Sequence, residues 1–322
     1  MTAARSLTEP PCPPASEPPD DQARVAETVA RVPSLAGQSI TASVLPGGLT
    51  NRNYHVTASN GTELVVRLSS AQSALLAIDR EAECANARAA ASTGVAPEVL
   101  AFAPDLGALA IDWVEADTFT EADLDDSANL ALVATTCRAL HAGPRFASDF
   151  DMFALQRRYL DLVVASGFRL PHAYLDLMPQ VTAIRGAMSA QEQGTVPCHN
   201  DLLAANVMAR DGRMWFIDFE YSGNADPCFE LGNLCSESHL DRDRLTELVA
   251  AYYGSATPGK VARAELFGLM SDYGWTLWAS IQAATSELDF DFWAWGMEKY
   301  ERALALFRGP DLHRLITDVQ QP

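Results

Sequence analysis

The sequence predicts an α+β chain of two lobes, a small β-rich one followed by a larger, mainly helical one. Three observations carry that expectation. Residues 40–113 alternate apolar and polar positions around turn signals at Gly47-Gly48, Asn60-Gly61 and Asp105 to Gly107, the period of half-buried strands. Beyond Glu115 the apolar positions recur instead at helical spacing. The length, 322 residues with 48% hydrophobic, allows two units with a core each.

In chain order, residues 1–20 read as a Pro-rich disordered tail that lacks the apolar core of a secretory signal. The first lobe then occupies residues 21–114. It opens with a short amphipathic helix over 21–31, and "ITASVLPGGLTNRNYHVTASNGTELVVRLSS" supplies strands about a glycine break and an Asn-Gly hairpin. A helix over 79–92 is closed by Gly94 and Pro97. "PEVLAFAPDLGALAIDWVE" adds two more strands. The second lobe, residues 115–322, has helical patterns over 127–141, 152–166, 172–191, 241–253, 261–286 and 289–307. One hairpin interrupts them, with strands 207–209 and 214–217 about an Asp211-Gly212 turn.

Composition excludes several functions. A formal charge of -19 repels nucleic acid phosphates. No run of eighteen apolar residues is present to cross a membrane. The six cysteines form neither a close metal-binding pair nor a disulfide framework, which fits a reduced, cytoplasmic setting. Only Lys260 and Lys299 are lysines, and neither lies in a GxxxxGK[ST] phosphate loop. A phosphate-gripping cation must therefore be an arginine, a histidine or a metal.

The chemistry concentrates in "CHNDLLAANVMARDGRMWFIDFEYSGNADPCFELGN". Asn206 enters the predicted hairpin and Asp218 leaves it, so the two should be neighbours. An amide oxygen and a carboxylate suit Mg²⁺, which takes few protein groups and completes its shell with water and phosphate. Asp201, on the preceding loop, stands where a base for a substrate hydroxyl belongs. Each residue alone is equally a turn or cap residue; the hairpin is what converges them. His199 reads as a loop-fixing ring rather than a nucleophile. In "VVRL", Arg67 interrupts an apolar strand, and a buried guanidinium needs an anion.

"HNDLLAAN" followed by "FIDFEYSGNADPCFELGNLCSE" resembles the choline/ethanolamine kinase family, related to aminoglycoside phosphotransferases and sharing a protein-kinase-like fold. The likeness runs from about Leu45 to Phe307, with Glu230 where the family usually has Asp. It implies that Asp201 is the catalytic base, that Asn206 and Asp218 bind Mg²⁺, and that Glu220 is an accessory metal group. "LPGGLTNRNY" resembles the nucleotide-covering loop, making Gly47, Gly48, Thr50 and Asn51 candidates for ATP. The family's arginine at Arg67 grips ATP phosphates, with Glu83 orienting it. "IDWVEADTF" resembles the lobe hinge, where the backbone from Trp113 to Glu115 would hydrogen-bond adenine.

Trp275 and Trp278 share a helix face and resemble the family's WxxWAxxQ choline-site helix. With Tyr221 and Glu237 they would form an aromatic and carboxylate cage for a quaternary ammonium. The expectation is an ATP- and Mg²⁺-dependent kinase of choline. Ethanolamine, another amino alcohol or an aminoglycoside is the alternative acceptor. A non-catalytic ligand-binding protein on the same fold would not need Asp201, Asn206, Asp218 and Arg67 together.

Overall fold

The computed structural model describes residues 19–70 and 75–321. The expected tail lies outside the described residues as far as residue 18; Pro19 and Asp20 already belong to the first helix, α1 (Pro19–Ala30). The chain divides into two compact units, Met1–Ala71 with Val99–Trp113, and Gln72–Glu98 with Val114–Pro322. The boundary at 113 falls one residue from the expected one. Among the described residues, 75–98, expected in the first lobe, belong instead to the second unit.

In the first unit, β1 (Ile40–Leu45), β2 (Asn51–Ala58), β3 (Glu63–Ser69), β4 (Val99–Ala103) and β5 (Ala108–Asp112) form one antiparallel sheet in the order β1-β2-β3-β5-β4. Val25 and Val29, four apart on α1, join Val32 and Leu35 against Val56, Leu64, Val66 and Ala110 of the sheet. Asp21 ties the helix down: its carboxylate accepts from Tyr54 Oη at 3.0 Å and from Arg52 at 2.8 Å. Burial pushes this carboxyl up, yet the Arg52 and Tyr54 bonds outweigh it and hold it below its ordinary value.

The second unit contains, in chain order, α2 (Arg80–Ala91), β6 (Asp117–Thr118), α3 (Glu121–Leu124), α4 (Ser127–His141), α5 (Met152–Ser166), α6 (Met178–Met188), β7 (Val196–Cys198), β8 (Val207–Arg210), β9 (Arg213–Phe216), β10 (Gly223–Ala225), α7 (Pro227–Glu237), α8 (Arg242–Tyr253), α9 (Pro258–Thr285), α10 (Phe292–Arg308) and α11 (Asp311–Asp318). Asp79, Asp126, Asp151, Asp226, Asp241 and Asp291 each cap a helix N-terminus through the side chain, so part of the acidic excess terminates helices. Helix α2 belongs here because Asn86 donates to Ser222 O at 3.0 Å and accepts from Ala147 N at 2.8 Å.

Three helices, the short α3 and the longer α7 and α11, are absent from the sequence expectation. Residues 227–235 of α7 are buried without interruption, so the helix has no polar face to betray its period. It meets α9 closely: a Cβ on Gly232 would lie 2.0 Å from Ala264 O. The helix expected over 172–191 is shorter, because Ala173 adopts φ 63° and a 3₁₀ turn at Leu175–Leu177 precedes α6. The last long helix begins at Phe292 rather than Asp289. No helix of the described residues is long and apolar enough to cross a membrane.

Candidate active site

The site is built on the loop after β7. His199 lies fully inside, where Nδ1 accepts from Asp201 N at 3.3 Å and Nε2 donates to Ile217 O at 2.7 Å. That tautomer is the neutral one, and burial lowers the imidazole's proton affinity in agreement. The expected loop-fixing role is therefore the observed one. Glu230 of α7 completes the frame by accepting from His199 N at 3.0 Å and Asn200 N at 2.7 Å. Asn200, at φ 66°, ties the loop to β10 through Nδ2 to Tyr221 O and Gly223 O.

The hairpin brings Asn206 and Asp218 together as the spacing predicts. Val207 pairs with Phe216, and Ile217 N donates to Asn206 O at 3.0 Å. Asn206 Nδ2 donates to Asp201 O at 2.9 Å, which orients the amide so that Oδ1 is the atom that could face a metal. Asp218 follows β9 with φ 66°, a left-handed conformation that Asp tolerates better than most residues and that recurs at functional sites. One carboxylate and one amide oxygen are a hard donor set that fits Mg²⁺.

Asp201 is surrounded by like charge. Burial first, then Glu237, Glu220 and Asp218, push its carboxyl well above the usual range, while Lys299 pulls the other way. Glu220 is buried and accepts from Arg80 Nη1 at 3.1 Å; the same guanidinium nitrogen reaches Glu83 at 2.8 Å. Arg80 was not anticipated as a bridge between these carboxylates. Its position three residues before Glu83 on one helix face was the available signal.

The nucleotide candidates of the first unit are placed by its sheet. Gly47 and Gly48 have φ of 92° and 93°, and a Cβ on Gly48 would lie 2.9 Å from Asn51 O, so the β1–β2 connection requires glycine at 48. Asn51 Nδ2 donates to Thr50 Oγ1 at 3.1 Å. Arg67 is buried on β3, the central strand, opposite Asn53 and Leu109; it is not an exposed edge residue. Trp113 packs against His55 with the rings tilted and their centroids 4.2 Å apart. In the second unit Glu83 is buried rather than on a solvated face. Glu115 is exposed and pairs with Arg210 at 2.9 Å, and Arg210 also donates to its backbone oxygen.

Two of the aromatic candidates meet, and the third packs against other rings. Tyr221 meets Trp275 edge-on at 4.8 Å, and its hydroxyl lies 3.4 Å from that of Tyr159. Trp278 packs edge-on to Phe292 and Trp295 at 5.7 and 5.5 Å. Asn233 links them to the loop: Nδ2 donates to Leu202 O at 3.2 Å, and Oδ1 accepts from Trp275 Nε1 at 3.3 Å and Ser271 Oγ at 2.6 Å. Glu237, expected to face a substrate cation, has both oxygens engaged by Lys299 at 2.7 and 2.6 Å. Tyr273 is core, stacked on Tyr174 at 4.0 Å.

Comparison with known proteins identifies the family. Residues 41–266 match the model of the phosphotransferase enzyme family. A solved choline/ethanolamine kinase family protein from Mesorhizobium loti is 32% identical, covers 94% of this chain and 99% of its own, and superposes with a TM-score of 0.80. The choline kinase LicA from Streptococcus pneumoniae is 22% identical, covers 89% and 99%, and shares the fold with a TM-score of 0.75. Human ethanolamine kinase 1 is 24% identical over 82% of this chain and 67% of its own length. By these matches the chain belongs to the phosphotransferase enzyme family and, within it, to the choline/ethanolamine kinase family.

Proposed function

We propose that the protein transfers the γ-phosphoryl group of ATP to the hydroxyl of choline. The bond from the γ-phosphorus to the bridging oxygen breaks, a bond to the acceptor oxygen forms, the hydroxyl proton passes to Asp201, and ADP leaves. The raised proton affinity of Asp201 makes it a better base for that proton. Asn206 and Asp218 would hold Mg²⁺, whose charge is what phosphate oxygens require. Gly47, Gly48, Thr50, Asn51, Arg67 and Glu83, with the backbone from Trp113 to Glu115, are the proposed nucleotide contacts.

The observation that carries the choice of acceptor is the aromatic wall of Tyr221, Trp275 and Trp278 joined through Asn233 to the Asp201 loop. A quaternary ammonium donates no N–H bonds and is held by ring faces, each worth about 2 kcal/mol when desolvated. Glu237 is connected to that wall through Lys299 and Trp295. Ethanolamine is the second reading, favoured by the similarity to human ethanolamine kinase 1.

ADP release is to be measured with Mg-ATP across choline, ethanolamine, other amino alcohols and aminoglycosides. Choline should give the highest kcat/KM, and Trp278→Ala should raise the choline KM at least tenfold with little change for ATP. Turnover of aminoglycosides alone would sink the reading, and equal losses for both substrates would make Trp278 a packing residue.

A further inference from the structure

Lys299 is one of two lysines in the chain and is only 3% exposed. Its Nζ donates to both oxygens of Glu237 and lies 4.3 Å from the centroid of Trp295. Trp295 touches Trp278, which is three residues beyond Trp275 on α9. Trp275 bonds Asn233, which holds the loop at Leu202 and lies one turn before Glu237 on α7. Contacts between helices, and one-turn spacing along α7 and α9, therefore connect Asn233 and Glu237, Trp275 and Trp278, and Trp295 and Lys299 beside Asp201. A carboxylate beside an indole face is a receptor for an alkylammonium. Here the chain's own ammonium already sits in it.

We propose that Lys299 is a tethered stand-in for a primary ammonium and is the residue that sets preference for choline over ethanolamine. The proposal rests on the reading that the acceptor's pocket lies against this cluster. A primary ammonium draws most of its attraction to a carboxylate from short, charge-assisted N–H bonds. A trimethylammonium has no N–H and draws its attraction from ring faces. With both Glu237 oxygens taken by Lys299, the advantage of the primary amine is withdrawn while the ring faces remain. The same ion pair lowers the pocket's overall attraction for cations, so selectivity comes with a raised KM for both acceptors.

The test is kcat/KM for ethanolamine and choline in the wild type, in Lys299→Met and in the double variant Lys299→Met with Glu237→Gln. Lys299→Met should raise the ethanolamine-to-choline ratio at least tenfold, and adding Glu237→Gln should reverse the rise. A ratio within twofold of the wild type in Lys299→Met overturns the proposal. Lys299→Met leaves a buried carboxylate without its partner, so a thermal melt accompanies the kinetics. If that variant does not fold, the double variant decides. A ratio within threefold of the wild type supports the proposal, and a tenfold loss of choline preference overturns it, since Glu237 would then serve choline directly. A wild type that phosphorylates neither amino alcohol sinks the proposed function instead, a result distinct from all of these.

Discussion

Glu230 on α7 and Asp201 on the loop that Glu230 frames are two carboxylates whose surroundings drive them in opposite directions. Glu230 is completely buried, yet its oxygens accept two backbone N–H groups and lie 3.6 Å from His141 Nε2. Burial pushes its carboxyl up, but His141, His199 and the N–H bonds bring it below its ordinary value. Asp201, only partly buried, lacks that compensation: burial pushes its carboxyl up, and Glu237, Glu220 and Asp218 add to it. The lesson is that a buried acid with matched donors frames a loop, whereas one crowded by other acids stores electrostatic strain that a proton or a cation relieves. Asp21, held by Arg52 and Tyr54 in the first unit, is a further member of the matched kind.

The largest expected effect breaks the unmatched side. Asp201→Asn should lower turnover by about a thousandfold while raising the melting temperature by about 1–3 °C at pH 7. The sign follows from linkage: a carboxyl whose folded proton affinity is raised above its ordinary 3.8 costs stability as pH rises past that value. The gain should therefore disappear in melts below about pH 4. A variant that melts at or below the wild-type temperature at pH 7 would remove the strain from the account.

Glu230→Gln probes the matched side. One backbone N–H would then face an amide N–H₂, a loss of about 1–3 kcal/mol, with kcat falling about tenfold as the loop loosens. Circular dichroism melts and steady-state kinetics check both, and an unaltered melt would mean that Glu230 is not the frame.

The smallest effect is Asp21→Asn, costing about 1–2 kcal/mol in the first unit. Because the folded proton affinity of Asp21 is lowered, its contribution is present above its ordinary value of 3.8 and lost as pH falls through the folded value. The difference between variant and wild type should thus shrink on acidification below about pH 4; a constant difference would point to packing instead of charge.

Much of this molecule was legible in the chain itself. The strands about Gly47-Gly48 and Asn60-Gly61, the helix begun at Asp79 and the 207–216 hairpin follow from local turn chemistry and periodicity, which need no distant partner. Local pairing also placed Asn206 beside Asp218. Tertiary structure decided the rest because the information was not local. Helix α7 is buried all round and so has no periodic signature, and residues 75–98 join the second unit through bonds such as Asn86 to Ser222 and Tyr159 to Leu76. The partners of charged groups were equally hidden. That Arg80 reaches Glu220 across 140 residues, and that Lys299 occupies Glu237 across 62, depends on which helices pack together. Spacing along a chain reports neighbours within an element, and only packing reveals which charge neutralises which.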